Sequence, residues 1–313
     1  MALPRVFNKG YLPVSDGHSL YFECWGNPRG FPILFVHGGP GSGSSSPRYK
    51  KWFEPNKHMV IFYDQRGAAR SRPFASVIAN TTPKLVRDIN QLLDHLKLDR
   101  VLLFGGSWGS TLALTYAIQN PNRVWGIFLR ALFLGDKAAV DHYIRGGLRH
   151  HFPDRWERFL SFVPLASRKD PTAYYLKKML SKNRNERKKF CFEWAYYEMS
   201  VVALEMPEKL ILKYLKELNY KSLSTLEAHY MKHNCFLPKD YILRNAKKLQ
   251  SVPITLFHGR YDVICPPNQA WELKKQIPHM RLTYDIGGHI IPGPEEDRKF
   301  RREINRLVGE IKR

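Results

Sequence analysis

Short apolar runs recur along the chain: Ile33 to Val36, Met59 to Tyr63, Val101 to Phe104, Gly126 to Leu129, Ile254 to Phe257 and Leu282 to Tyr284. Runs of this length read as strands buried on both faces. Between several of them the period lengthens. Pro83 to Lys97 carries Leu85, Ile89, Leu92, Leu93 and Leu96 on one helical face, and Ser110 to Gln119 continues as a helix after the third run. Alternating strands and helices predict an α/β fold with a mostly parallel sheet and helices on both faces. The start differs, because Tyr11 to Val14 and Leu20 to Trp25 flank Ser-Asp-Gly-His, a turn with Asp-Gly at its centre. That pattern predicts a leading β-hairpin.

From about Gly135 to Gln250 the buried-strand runs stop, and long helical stretches rich in Trp, Tyr, Lys and Glu take their place. A block of that size is too long for a loop. The expected organisation is one core domain formed by residues 1–134 and 251–313, with a helical domain, 135–250, inserted in it.

Composition narrows the function classes. With 43% hydrophobic and 25% charged residues the chain is ordinary for a globular protein, and it has no apolar tract of the ~18 residues a membrane helix needs. The N-terminal segment lacks the apolar core of a secretory signal, so the expected compartment is the cytoplasm. Cys24, Cys191, Cys235 and Cys265 are scattered, with no Cys-x-x-Cys pair, so neither a disulfide framework nor a metal site is expected. The 50 basic against 28 acidic side chains give a net charge of +22. The bases concentrate at Lys182 to Lys189, Lys247-Lys248 and Arg298 to Arg313 without a nucleic-acid-binding motif, which predicts a solvated basic surface, no specific nucleic acid and no membrane partner.

The chemistry is concentrated in a few strings. Val101 to Phe104 runs into Gly105-Gly106-Ser107-Trp108-Gly109 and then a helix, the strand–turn–helix context of a Gly-x-Ser-x-Gly nucleophile elbow. A serine hydroxyl needs a base held in one tautomer by a carboxylate, so an acid and a histidine should follow in that order. Asp262 follows the Ile254 to Phe257 strand, and His289 stands in a Gly-Gly loop after the next one; Asp285 is a nearby competitor for the acid. The negative oxygen of an acyl intermediate needs two N–H donors. His37-Gly38-Gly39-Pro40-Gly41 follows the Ile33 strand, and the expected donors are the backbone N–H groups of Gly39 and Trp108.

These strings, with Asp64-Gln65-Arg66-Gly67 and His258-Gly259-Arg260-Tyr261-Asp262 in the same order, resemble the proline iminopeptidases over nearly the whole chain from about Gly10. The resemblance implies an α/β-hydrolase core with a helical cap, acting without cofactor or metal on short peptides that carry a free N-terminal proline. It also implies that cap carboxylates hold the substrate's amino or imino group. Trp194 to Glu198 and Glu227 to Tyr230 resemble the two family segments that carry them, pointing to Glu198 and Glu227. By the same carry-over, Arg130, Phe133 and Tyr143 orient those carboxylates and pack on the pyrrolidine ring. Ala69, Ser42 and Ile290 depart from the family pattern near the pocket, leaving strict proline preference against other small residues open. A general esterase or amidase, and a non-catalytic basic scaffold binding polyanions, are the alternatives on the residues alone.

Overall fold

The structure, a computed structural model, describes residues 5–290 and 293–312. Outside it lie the first four residues of the segment read above for a leader, residues 291 and 292, and the last base of the basic tail. The chain runs β1 (Val6–Pro13), β2 (Ser19–Gly26), β3 (Phe31–Val36), α1 (Pro47–Lys50), β4 (His58–Tyr63), α2 (Thr82–His95), β5 (Val101–Ser107), α3 (Trp108–Gln119) and β6 (Val124–Leu132). Helices follow: α4 (Lys137–Ile144), α5 (Pro153–Ser161), α6 (Pro171–Met179), α7 (Arg184–Val201), α8 (Glu208–Glu217), α9 (Tyr220–Lys232) and α10 (Tyr241–Asn245). The chain then returns through β7 (Ile254–Gly259), α11 (Asn268–Gln276), β8 (Arg281–Asp285) and α12 (Pro294–Ile311).

The eight strands form one sheet in the order β1-β2-β4-β3-β5-β6-β7-β8. β1 and β2 make the antiparallel hairpin the sequence predicts, and its turn has Asp16 and Gly17 both at positive φ, which suits Asp-Gly. β2 joins β4 antiparallel, and every pairing from β4 to β8 is parallel. Successive side chains of a strand point to opposite faces. Leu34, Val36, Leu103 and Leu129 therefore enter the larger core, while Ile33, Phe35, Leu102, Phe104 and Phe128 enter an aromatic core on the other face. There Phe35, Phe104, Phe128 and Phe257 stack in sequence across four strands at centroid distances of 5.2, 5.3 and 5.6 Å.

Strand order reverses at β4-β3-β5, and in open α/β sheets the ligand crevice lies beyond the carboxyl ends at such a point. Val36 pairs with Gly105, so the loop after β3 and the turn after β5 leave the sheet side by side. Residues 135–250 carry α4 to α10 and, among the described residues, no strand. This block is fastened over that edge: Ser222 Oγ donates to the Gly41 carbonyl at 2.9 Å, Ile290 N–H to the Val202 carbonyl at 2.9 Å, and Tyr230 OH to Asn80 at 2.8 Å.

Candidate active site

Ser107 sits between β5 and α3 at φ 55° and ψ −129°, a conformation that costs a non-glycine residue ~1–3 kcal/mol and holds its hydroxyl clear of the sheet edge. The flanking glycines are needed for space. A Cβ on Gly105 would lie 2.4 Å from the Gly109 carbonyl oxygen, and one on Gly109 would lie 2.1 Å from that of Val36. His289 Nε2 is 3.0 Å from Ser107 Oγ, and His289 Nδ1 is 2.8 Å from Asp262 Oδ2. Both distances are within the reach of a working nucleophile–base–acid relay. Asp285 is engaged elsewhere, by Lys299 at 3.0 Å.

The acid is held from several sides. Asp262 Oδ1 accepts the N–H groups of Ile264 at 3.0 Å and Cys265 at 2.8 Å. Burial acts to raise its carboxyl, but His289, their hydrogen bond, nearby His258 and the Cys265 N–H outweigh it, so the group lies below the usual carboxylate range. His258 pins the loop to β6. Leu132 N–H donates to its Nδ1 at 3.1 Å, leaving Nε2–H to donate to the Cys265 carbonyl at 2.8 Å. Burial pushes the His258 ring down, toward the neutral form this pattern needs. Asp262, Cys265 and His289 also offer ligand atoms within 4.8 Å of one another, the one such group among the described residues. Burial pushes the Cys265 thiol well up, and a metal needs the thiolate, so the group favours proton transfer over ligation.

The loop after β3 is fixed by a residue whose role the sequence did not disclose. Gln65, itself buried, donates through Nε2 to the His37 carbonyl at 2.8 Å and accepts the Trp108 indole N–H at 2.9 Å. Its own N–H donates to His37 Nε2 at 2.9 Å, which turns Nδ1–H toward the Gly38 carbonyl at 2.9 Å. Gln65 thereby ties the Gly38-Gly39 turn to the first helical residue after the nucleophile. Trp108 opens α3, where an N–H has no intrahelical acceptor, and Gly39 lines the cleft at φ 103°.

The cleft, about 160 Å³, is lined by Ser107, His289, Gly38, Gly39, Arg130 and Glu198, with Met199, Val202, Leu218, Leu223 and Ile290 among its apolar walls. Glu198 projects from α7, and its Oε2 is buried without a partner among the described residues. Glu227, on α9, accepts the Trp194 indole N–H at 2.6 Å and the Tyr143 hydroxyl at 3.4 Å. Burial pushes Glu198 up to about 8, and burial together with the charge of Glu198 pushes Glu227 well above its ordinary range.

The remaining expected residues divide. The Tyr143 hydroxyl donates to Glu227, as described above. Phe133 lies in the main core, with its backbone engaged by Ser110 and Thr111 of α3, and is not among the residues lining the cleft. Arg130 lines the cleft and donates through Nη2 to the His289 carbonyl, and among the described residues it forms no hydrogen bond or ion pair with either glutamate. The reason is its register. Arg130 pairs with Gly106 across β5 and β6, and a Cβ on Gly106 would meet the Arg130 side chain at 2.9 Å. The second glycine of Gly-Gly-Ser is therefore the space through which Arg130 reaches the histidine loop.

With this geometry in view, comparisons with known proteins bear on the chain. The α/β hydrolase fold family matches residues 32–294. A proline iminopeptidase from Arabidopsis thaliana is 37% identical over 90% of this chain and 75% of its own length, and one from Xylella fastidiosa is 35% identical over 92% and 93%. The chain belongs to the proline iminopeptidase family of α/β hydrolases. A solved proline iminopeptidase-related protein from Thermus thermophilus superposes with a TM-score of 0.64 over 96% of this chain and 98% of its own at 19% identity. An esterase from Exiguobacterium antarcticum gives 0.63 over 97% and 99% at 21% identity. Such similarity to both shows the fold, and what distinguishes this family member must be sought in the cleft.

Proposed function

We propose that the protein is a serine aminopeptidase that releases N-terminal proline from short peptides. The observation that carries this reading is the buried Glu198 carboxylate oxygen, without a partner among the described residues, on a side chain that lines the same cleft as Ser107. An isolated carboxylate there is costly unless something positive arrives to meet it. A substrate's protonated imino group is such a partner, and charge-assisted hydrogen bonds of this kind are worth ~1.5–3 kcal/mol each. Burial pushes both carboxyls up, as expected of acids with no cation beside them, and a bound cation would act in the opposite direction. The cleft's 160 Å³ lies below the ~300–1,000 Å³ of sites for larger ligands and suits one small residue, as removal of a single N-terminal residue requires.

In this reading residues 135–250 form a cap on a core of residues 1–134 and 251–313, and the cap supplies both glutamates. Ser107 Oγ attacks the carbonyl of the first residue as His289 Nε2 takes its proton; Asp262 steadies the ring, and the N–H groups of Gly39 and Trp108 receive the developing oxyanion. His289 then gives the proton to the departing amine, leaving a prolyl ester on Ser107. Water, deprotonated by His289, attacks that ester and frees proline. Tyr143 holds Glu227, Arg130 holds the histidine loop, and Phe133 supports the end of β6 from within the core. Four free, buried cysteines suit a reducing compartment, and we place the enzyme in the cytoplasm.

The test is product identification by mass spectrometry after incubation with Pro-Ala-Ala, its N-acetyl form and Ala-Ala-Ala. Free proline from the first alone, lost in Ser107→Ala, is the expected result. Cleavage of the acetylated peptide at a comparable rate would move the protein to the general amidases.

A further inference from the structure

The largest basic concentration in the middle of the sequence, Lys182 to Lys189, is exposed to solvent at Lys182, Arg184, Lys188 and Lys189, and it also borders a cavity. Arg184, Arg187, Lys188 and Cys191 fall at i, i+3, i+4 and i+7 of α7, on one side of the helix, and they line a cavity of about 420 Å³. Lys221 and Thr225, one turn apart on α9, form the facing wall; Met179 and Leu180 close it from the end of α6, and Phe74 and Ala75 from the loop before α2. Four cations thus surround one concave space, with no acidic side chain in its lining among the described residues.

Like charges at these spacings repel one another. Ion pairs usually relieve such crowding, but here they do not. Arg187 is tied by Nη1 to the carbonyls of Ser181 at 2.6 Å and Lys182 at 3.1 Å, which fixes its guanidinium without neutralising it. Arg184, Lys188 and Lys221 have no hydrogen-bond or ion-pair partner for their side chains among the described residues. Glu186, the acidic residue on the same turn, is occupied by Lys178 at 2.5 Å. The floor is of the opposite character: Cys191 is buried, its thiol 3.6 Å from the Thr225 hydroxyl, while Phe74 and Leu180 present 43% and 49% of their surface at the rim.

We propose that this cavity binds a small organic polyphosphate with an aromatic body, of nucleotide size and chemistry. Its volume falls within the ~300–1,000 Å³ of small-molecule sites. Arginine forks and lysine ammonium groups are the side chains that hold phosphate oxygens, and Phe74 and Leu180 offer a ring the apolar surface the cations do not. The site is separate from the catalytic cleft but shares α9 with it, since Lys221 and Thr225 face the cavity while Leu223 lines the cleft.

Isothermal titration of the full chain with ATP, tripolyphosphate and adenosine tests the proposal. Saturable binding of ATP at one site is expected, with both partial ligands at least about tenfold weaker. The variant Arg184→Glu/Lys221→Glu, changed on facing helices, should weaken ATP by about tenfold or more, whereas Lys247→Glu/Lys248→Glu, with the same change of charge elsewhere, should stay within about twofold. Phe74→Ala should weaken ATP and leave tripolyphosphate unchanged. Lys188→Gln, a milder change, gives the same reading if the double variant fails to fold. Three results overturn the proposal: no saturable binding, equal losses in the two double variants, or a partial ligand binding as tightly as ATP.

Discussion

The Ser107 group and the glutamate pair, the two ends of the site, are built on opposite principles. In the Ser107 group each polar residue has its partner: Asp262 accepts two backbone N–H groups and His289, His289 reaches Ser107, and Arg130 donates to the histidine's carbonyl. In the glutamate pair Glu198, which lines the cleft, has an oxygen with no partner among the described residues, and Glu227 has only neutral donors, Trp194 and Tyr143. Buried charge is expensive in both places. One end has its compensation built in, so its acid is held low; the other leaves compensation to the substrate, so its acids are pushed up. In the proposed reading the first arrangement serves catalysis and the second serves selection of the substrate.

The comparison can be broken from either side. The largest effect belongs to the nucleophile: Ser107→Ala should lower kcat by roughly 10⁴–10⁶-fold while binding of a prolyl peptide, followed calorimetrically, is retained. Glu198→Gln should lower kcat/KM on free-imino prolyl substrates by roughly 10²-fold, yet leave the rate of Ser107 labelling by a neutral organophosphonate unchanged. A matching loss of labelling would show that the two ends are not separable. Gln65→Ala should lower kcat by about tenfold with little change in KM, because it loosens the link between the Gly39 turn and Trp108 without touching the glutamate end.

The smallest effects are on stability, and they should have opposite signs. Glu198 ionises at about 8 in the folded chain against an ordinary 4.5, so the folded state holds an extra proton between those values and loses stability as pH rises through the window. Glu198→Gln removes that loss. Its melting temperature should equal wild type below pH 4.5 and exceed it by several degrees at pH 8, at about 2–4 °C per kcal/mol. Asp262 is shifted down, so Asp262→Asn should be destabilised above the ordinary carboxyl range and approach wild type only as pH falls through the folded value. Thermal scans across pH read both.

How much of this was legible in the sequence follows the same division. All eight strands coincide with apolar runs or hairpin segments, and Ser107, Asp262 and His289 stand in short strings at strand ends whose spacing implies their roles. Element edges shifted by a few residues: α3 starts at Trp108 rather than Ser110, because the elbow itself opens the helix. The glutamates carry no local signal, since an acid on a helix is ordinarily solvated, and only the family resemblance pointed to them. The Arg130 bond to the His289 carbonyl carries no local signal either, since the two residues lie 159 apart in the chain and meet only in the fold. Gln65 was noticed as part of the Asp64 to Gly67 string, but its contacts were not, because it joins His37 to Trp108 across three separate segments. The basic run at Lys182 to Lys189 is exposed at Lys182, Arg184, Lys188 and Lys189, and the cavity it borders was not legible because Lys221 and Phe74, which also line it, are remote in sequence.

The central claim is that the glutamate end is completed by the substrate's positive charge. It is tested most directly by kcat/KM for an L-prolyl aryl amide and its N-acetyl derivative, each with wild type and Glu198→Gln. The account predicts that acetylation costs the wild type roughly 10³–10⁴-fold and the variant at least about tenfold less, because the variant has already lost the partner that acetylation removes. The same acetylation penalty in both enzymes would contradict it and detach Glu198 from recognition of the substrate's N-terminus.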